Sequence, residues 1–111
     1  MKKYIQLCCV LLVSLLPIAC ASLPMPTQEN VNKALIKWPG TTLMDLRLGR
    51  KNYVENCAAC HNLYLPSEFS ESDWKRILVK MQKKAKINDE KTEAIREYIL
   101  SVPTKSESVS D

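Results

Sequence analysis

The sequence predicts an all-α protein, and three observations carry that prediction. Capping residues recur ahead of apolar runs, at Thr42 with Asp45, at Ser70 with Asp73, and at Asn88 with Asp89 and Glu90. Behind each pair, apolar residues return at helical spacing. No segment alternates apolar and polar residues as a half-buried strand does. The chain has 111 residues, which allows one domain at most.

The first element is a leader. Lys2 and Lys3 open the chain, and an apolar run from Leu7 to Ile18 follows, broken by Ser14 and Pro17. This is a signal-peptide pattern over residues 1–19, and the run falls short of the roughly 20 residues that span a bilayer. Two cleavage sites fit. Ala19-Cys20-Ala21 suits cleavage after Ala21, whereas Leu16 to Cys20 resembles a bacterial lipoprotein box in which Cys20 becomes the acylated first residue. Pro17 departs from that box, where leucine is usual. An exported chain, held in a bacterial periplasm by lipid on Cys20, is the expectation. Residues 20–40 carry Pro24 and Pro26 and read as a tether with room for a short helix.

The folded domain is expected at residues 41–102. Leu46, Gly49, Tyr53 and Cys57 fall on one face of the helix that starts after Thr42. Glycine costs such a helix about 1 kcal/mol against alanine, so Gly49 is of use if a second helix crosses closely, or else it marks the helix start. Trp74, Ile77, Leu78, Met81 and Ala85 keep helical period behind Ser70, with Lys83, Lys84 and Lys86 near the helix end, where positive charge is favourable. Ile95, Tyr98, Ile99 and Val102 form the stripe of the last helix, and Pro103 stops it. Residues 103–111 read as a disordered tail.

The chemistry sits in Cys57-Ala58-Ala59-Cys60-His61, a C-x-x-C-H haem-attachment signature. Two thiols at this spacing add to the haem vinyl groups as thioethers, and the next residue offers imidazole to the iron. The competing readings lack parts. Structural zinc needs four ligands. A thioredoxin-like pair needs a βαβ context, and a plain disulfide leaves His61 unexplained. Two glycines make no phosphate cradle, and a single histidine excludes a bis-histidine haem within one chain.

Gly49, Tyr53, the haem motif, and Ile95, Tyr98, Ile99 and Leu100 together resemble the small class I c-type cytochromes, over roughly residues 41–102. The resemblance implies a compact fold of three to four helices wrapped around one covalent haem c, and single-electron transfer rather than enzyme chemistry. It also implies a thioether sulfur as sixth iron ligand, which favours ferrous iron. Met81, 20 residues after His61 on an apolar face, is the first candidate. Met44 and an open or lysine-ligated iron are the others; an open site would make a sensor or gas-binding protein. The resemblance further suggests that the Pro66 carbonyl orients the proximal imidazole, although a loop stop before Ser70 explains the proline equally well.

Charge is segregated. Without Lys2 and Lys3 the net charge falls from +4 to +2. Lys75, Arg76, Lys80, Lys83, Lys84 and Lys86 lie in a run free of acids, so the rest of the mature chain is acidic. Such a collar suits an acidic redox partner protein; a solvated helix face is the plainer reading. Nucleic acid is not expected, because the basic run lacks interleaved aromatics.

Overall fold

A computed structural model describes residues 22–58 and 62–106. The leader, Cys20 and the last five residues lie outside the described residues, as do Cys60 and His61. Among the described residues the fold is all-α, as the sequence predicts: α1 (Gln28–Ala34), α2 (Leu43–Cys57), a 3-10 turn (Pro66–Glu68), α3 (Glu71–Ala85) and α4 (Asp89–Ser101).

The helix starts follow from local chemistry. Thr42 caps α2 by accepting the Asp45 amide at 3.2 Å, and the Asp45 carboxylate accepts the Thr42 amide at 2.8 Å. The Thr42 hydroxyl, donating to the Asp45 carboxylate at 2.6 Å, and then the Thr42 amide hold that carboxyl below its ordinary range. Ser70 caps α3 through the Asp73 amide at 3.2 Å, and Asn88 caps α4 through the Lys91 amide at 2.9 Å. Each cap satisfies an amide that the first helical turn leaves unpaired. α3 ends at Lys86, whose φ of 53° is left-handed and turns the chain towards α4. Val102, ahead of Pro103, is already extended, so α4 stops where the proline requires.

α2 and α4 cross at Gly49. A Cβ on this glycine would lie 2.1 Å from the Ala94 carbonyl oxygen and 2.8 Å from the Tyr98 Cβ. The close crossing, one of the two readings of the sequence, is therefore the reason for glycine here. The main core gathers Tyr53 from α2, Trp74 and Leu78 from α3, and Ile95, Tyr98, Ile99 and Leu100 from α4, with Val102 just beyond. A smaller cluster joins Val31 and Ala34 of α1 to Leu46 of α2.

The segment expected as tether with a short helix contains α1, and it packs onto the helices. Asn30 donates to the Ser101 carbonyl at 3.0 Å, Trp38 Nε1 to Glu93 at 2.8 Å, and the Tyr98 hydroxyl to the Pro24 carbonyl at 2.7 Å. Past Pro103, the Lys105 amide reaches the Phe69 carbonyl at 3.0 Å. The segments flanking the expected domain thus touch its helices, and the loop at Phe69, through hydrogen bonds that residue-by-residue periodicity does not report.

Candidate haem site

Cys57 is the last residue of α2 and is half-buried against the main core cluster. Its position follows from the stripe Gly49, Tyr53, Cys57, which turns the end of α2 towards the core. Cys60 and His61, the other two residues of the motif, lie outside the described residues. From Asn62 onward the chain is held against the core by two buried anchors. The Tyr53 hydroxyl donates to the Tyr64 carbonyl at 2.8 Å, and Trp74 Nε1 donates to the Pro66 carbonyl at 2.8 Å. Three edge-on ring contacts back these bonds, with centroids 6.2 Å apart for Tyr53–Trp74, 5.4 Å for Phe69–Trp74 and 5.1 Å for Tyr64–Phe69. Edge-to-face pairs at these separations add to the burial of the rings. Burial pushes the Tyr53 phenol well above its usual range.

Pro66 is buried and opens the 3-10 turn ahead of α3, so the loop-stop role is visible. Its carbonyl already accepts one hydrogen bond, from Trp74. A carbonyl has two lone pairs, which leaves one for the imidazole that the resemblance would place there.

The surroundings of Cys57 suit a flat apolar group. Leu63, Ile77 and Ile87 are partly buried and pack on the same core cluster as Cys57. On α3, Ile77, Met81 and Ala85 follow one another by four residues, forming a half-exposed apolar stripe beside the buried pair Trp74 and Leu78. Through Ile77 this stripe joins the core cluster on which Cys57 also packs, and half-covered apolar lining of that kind fits a covalently held haem. Met81 stands on that stripe one turn beyond Ile77. Met44 is 68% exposed, and it precedes Cys57 by 13 residues on the same helix, about 20 Å along the axis.

The basic run is less uniform in space than in sequence. Lys75 pairs with Glu71 at 3.0 Å, and Arg76 pairs with Asp73. Lysine pairing, from Lys37 as well as Lys75, holds the Glu71 carboxyl below its usual range. Lys80, Lys83, Lys84 and Lys86 make no ion pair among the described residues, so the free collar is these four lysines at the Met81 end of α3.

Sequence reasoning missed Trp74 as the anchor of the loop. A buried tryptophan needs a partner for its N–H, and that requirement was the available signal. It does not say which of many carbonyls is used.

A family model described as dihaem cytochrome c matches residues 53–111, from Tyr53 through the C-x-x-C-H motif, α3 and α4. No curated protein and no solved structure matches the chain.

Proposed function

The chain belongs to the dihaem cytochrome c family, and on that premise we propose that it is a one-haem electron carrier within these 111 residues. The carrying observation is the count of attachment chemistry: one C-x-x-C-H and one histidine in the whole sequence, against the two haems of the family's description. Haem supplies one-electron iron redox chemistry when it is bound. The residues have separate tasks. Cys57 and Cys60 would hold the group through thioethers, and His61 would ligate the iron. Met81 on α3 would offer a soft thioether ligand, which would raise the potential. Leu63, Ile77 and Ile87 would shield the group from water, and the Tyr53 and Trp74 anchors keep the chain after His61 from swinging away.

In this proposal no substrate chemistry takes place on the protein; its role is to fix the ligands and offer one edge to a partner. The four lysines beside Met81, which pair with no acid among the described residues, favour a partner protein with an acidic surface, with association slowing as salt rises. The leader favours export to a bacterial periplasm, and Cys20 favours a lipid anchor there.

The test of the ligand set is the oxidised absorption spectrum of the holoprotein. It should contain the weak sulfur-to-iron charge-transfer band, and Met81→Ala should lose that band while keeping covalent haem. A wild-type spectrum without the band, together with direct carbon monoxide binding, would replace the electron carrier by a gas-binding protein.

A further inference from the structure

Outside the haem site, one surface combines cations, exposed apolar side chains and a short length of chain to the leader. Arg47, Lys51 and Val54 recur along one face of α2 at helical spacing, and with Met25, Arg50 and Glu55 they line a shallow groove. Met25 is 58% exposed and Val54 37% exposed, so both offer apolar surface to a partner. Glu55 is the one acid in this lining, and it pairs with Lys51 at 3.7 Å. The balance is cationic, with apolar side chains at the centre.

The segment entering this groove is pinned. Arg50 donates to the Leu23 carbonyl at 3.2 Å, and the Tyr98 hydroxyl donates to the Pro24 carbonyl at 2.7 Å. Burial pushes the Tyr98 phenol up to about 12, so it stays a hydrogen-bond donor at any ordinary pH. Cys20 precedes Leu23 by three residues, which span at most about 11 Å when fully extended. An acyl group on Cys20 therefore brings the bilayer surface within about that distance of Leu23 and of the Arg50 that holds it. A long flexible tether would let the domain tumble; this short one does not.

We infer that the α2 face carrying Arg47, Lys51 and Val54, together with Met25, rests on an anionic lipid surface and sets the orientation of the domain on the membrane. The inference rests on the proposed acylation of Cys20. Its chemistry is that of interfacial binding generally: apolar side chains enter the headgroup boundary while neighbouring cations meet anionic headgroups. Cys57 lies one helical turn beyond Val54, about 4.5 Å along the axis, so the haem attachment end of α2 is carried close to the bilayer. The lysines on α3 stay available for the protein partner.

The experiment uses the mature, haem-loaded chain reconstituted in vesicles of phosphatidylglycerol and phosphatidylcholine. An environment-sensitive dye is placed on a single introduced cysteine, in Val54→Cys or in Val79→Cys on α3. The dye at 54 should shift to shorter emission wavelength on the vesicles, and the dye at 79 should not. Arg47→Ala with Lys51→Ala, in the Val54→Cys background, should weaken the docked population about 25-fold, because each cation near an anionic surface contributes about fivefold. That pair should leave the protein on the vesicles through its lipid. An intact mass of the same preparation reads the acyl group separately. Acylated protein whose dye shifts at 79 instead of 54, or whose shift at 54 survives loss of both cations, overturns the docking face alone. A mass without the acyl group overturns the anchor and the inference with it.

Discussion

Replacing Gly49 by alanine sets two effects of opposite sign against each other. Helix propensity favours the substitution by about 1 kcal/mol, since alanine loses less backbone freedom than glycine on folding. The crossing with α4 opposes it. The added Cβ would meet the Ala94 carbonyl oxygen at 2.1 Å, where ordinary contact begins at 3.4 Å. The obstacle is backbone, so no side-chain rotamer can relieve it; the two helices must separate by more than an ångström or α2 must bend. Overpacking of this kind costs about 1–3 kcal/mol, and a clash with backbone belongs at the upper end. The net expectation is destabilisation by about 2 kcal/mol. For a domain of this size each kcal/mol moves the melting temperature by about 4–8 °C, so Gly49→Ala should melt about 8–16 °C below wild type. The assay is thermal unfolding of the haem-loaded protein followed by far-ultraviolet circular dichroism. A variant that melts at or above the wild-type temperature would show that propensity wins and would refute the close crossing.

Trp74→Phe keeps an aromatic ring but removes the N–H that pairs with the buried Pro66 carbonyl. An unpaired buried carbonyl costs about 1–3 kcal/mol, so the melting temperature should fall, and amide exchange across residues 62–70 should quicken more than in α4. Lys86→Gly should raise stability by about 1 kcal/mol, read from a denaturant midpoint at unchanged slope, because φ of 53° strains a residue with a Cβ and suits glycine. Glu97 has its carboxyl raised above 4.5, by burial first and by neighbouring acids, against a hydrogen bond from Thr41. The fold thus favours its protonated form, and the stability this brings is whole below pH 4.5 and is lost as pH rises through the raised value. Glu97→Gln should therefore melt above wild type at neutral pH, with the gap closing in acid; a lower neutral melting temperature would contradict the sign.

What could be read from the sequence was what neighbours within a few residues decide. Thr42, Ser70 and Asn88 cap helices through bonds to residues three positions on, so their roles follow from local order. Gly49 was legible as a crossing because glycine on the inner face of a helix needs a reason. The distant ties were not. Asn30 with Ser101, Trp38 with Glu93 and Pro24 with Tyr98 are separated by 71, 55 and 74 residues, and no periodicity reports them. Composition alone made Pro24 and Pro26 look like tether, although Pro24 accepts a hydrogen bond from the core. The basic run gave its charge but not its pairing, since Glu71 and Asp73 neutralise Lys75 and Arg76 from the preceding turn. The separation of Met44 from Cys57 needed the length of α2, because only the helix axis sets it at about 20 Å. The haem motif itself was complete in five consecutive residues.

The central claim is one covalent haem in this chain, held by Cys57 and Cys60. The most direct measurement is the intact mass of the denatured holoprotein beside that of the Cys57→Ser, Cys60→Ser variant, with peptide mapping of the attachment site. The peptide spanning residues 57–61 should gain one haem, and the variant none. A gain of two haems, or haem that departs on denaturation of the wild type, would contradict it.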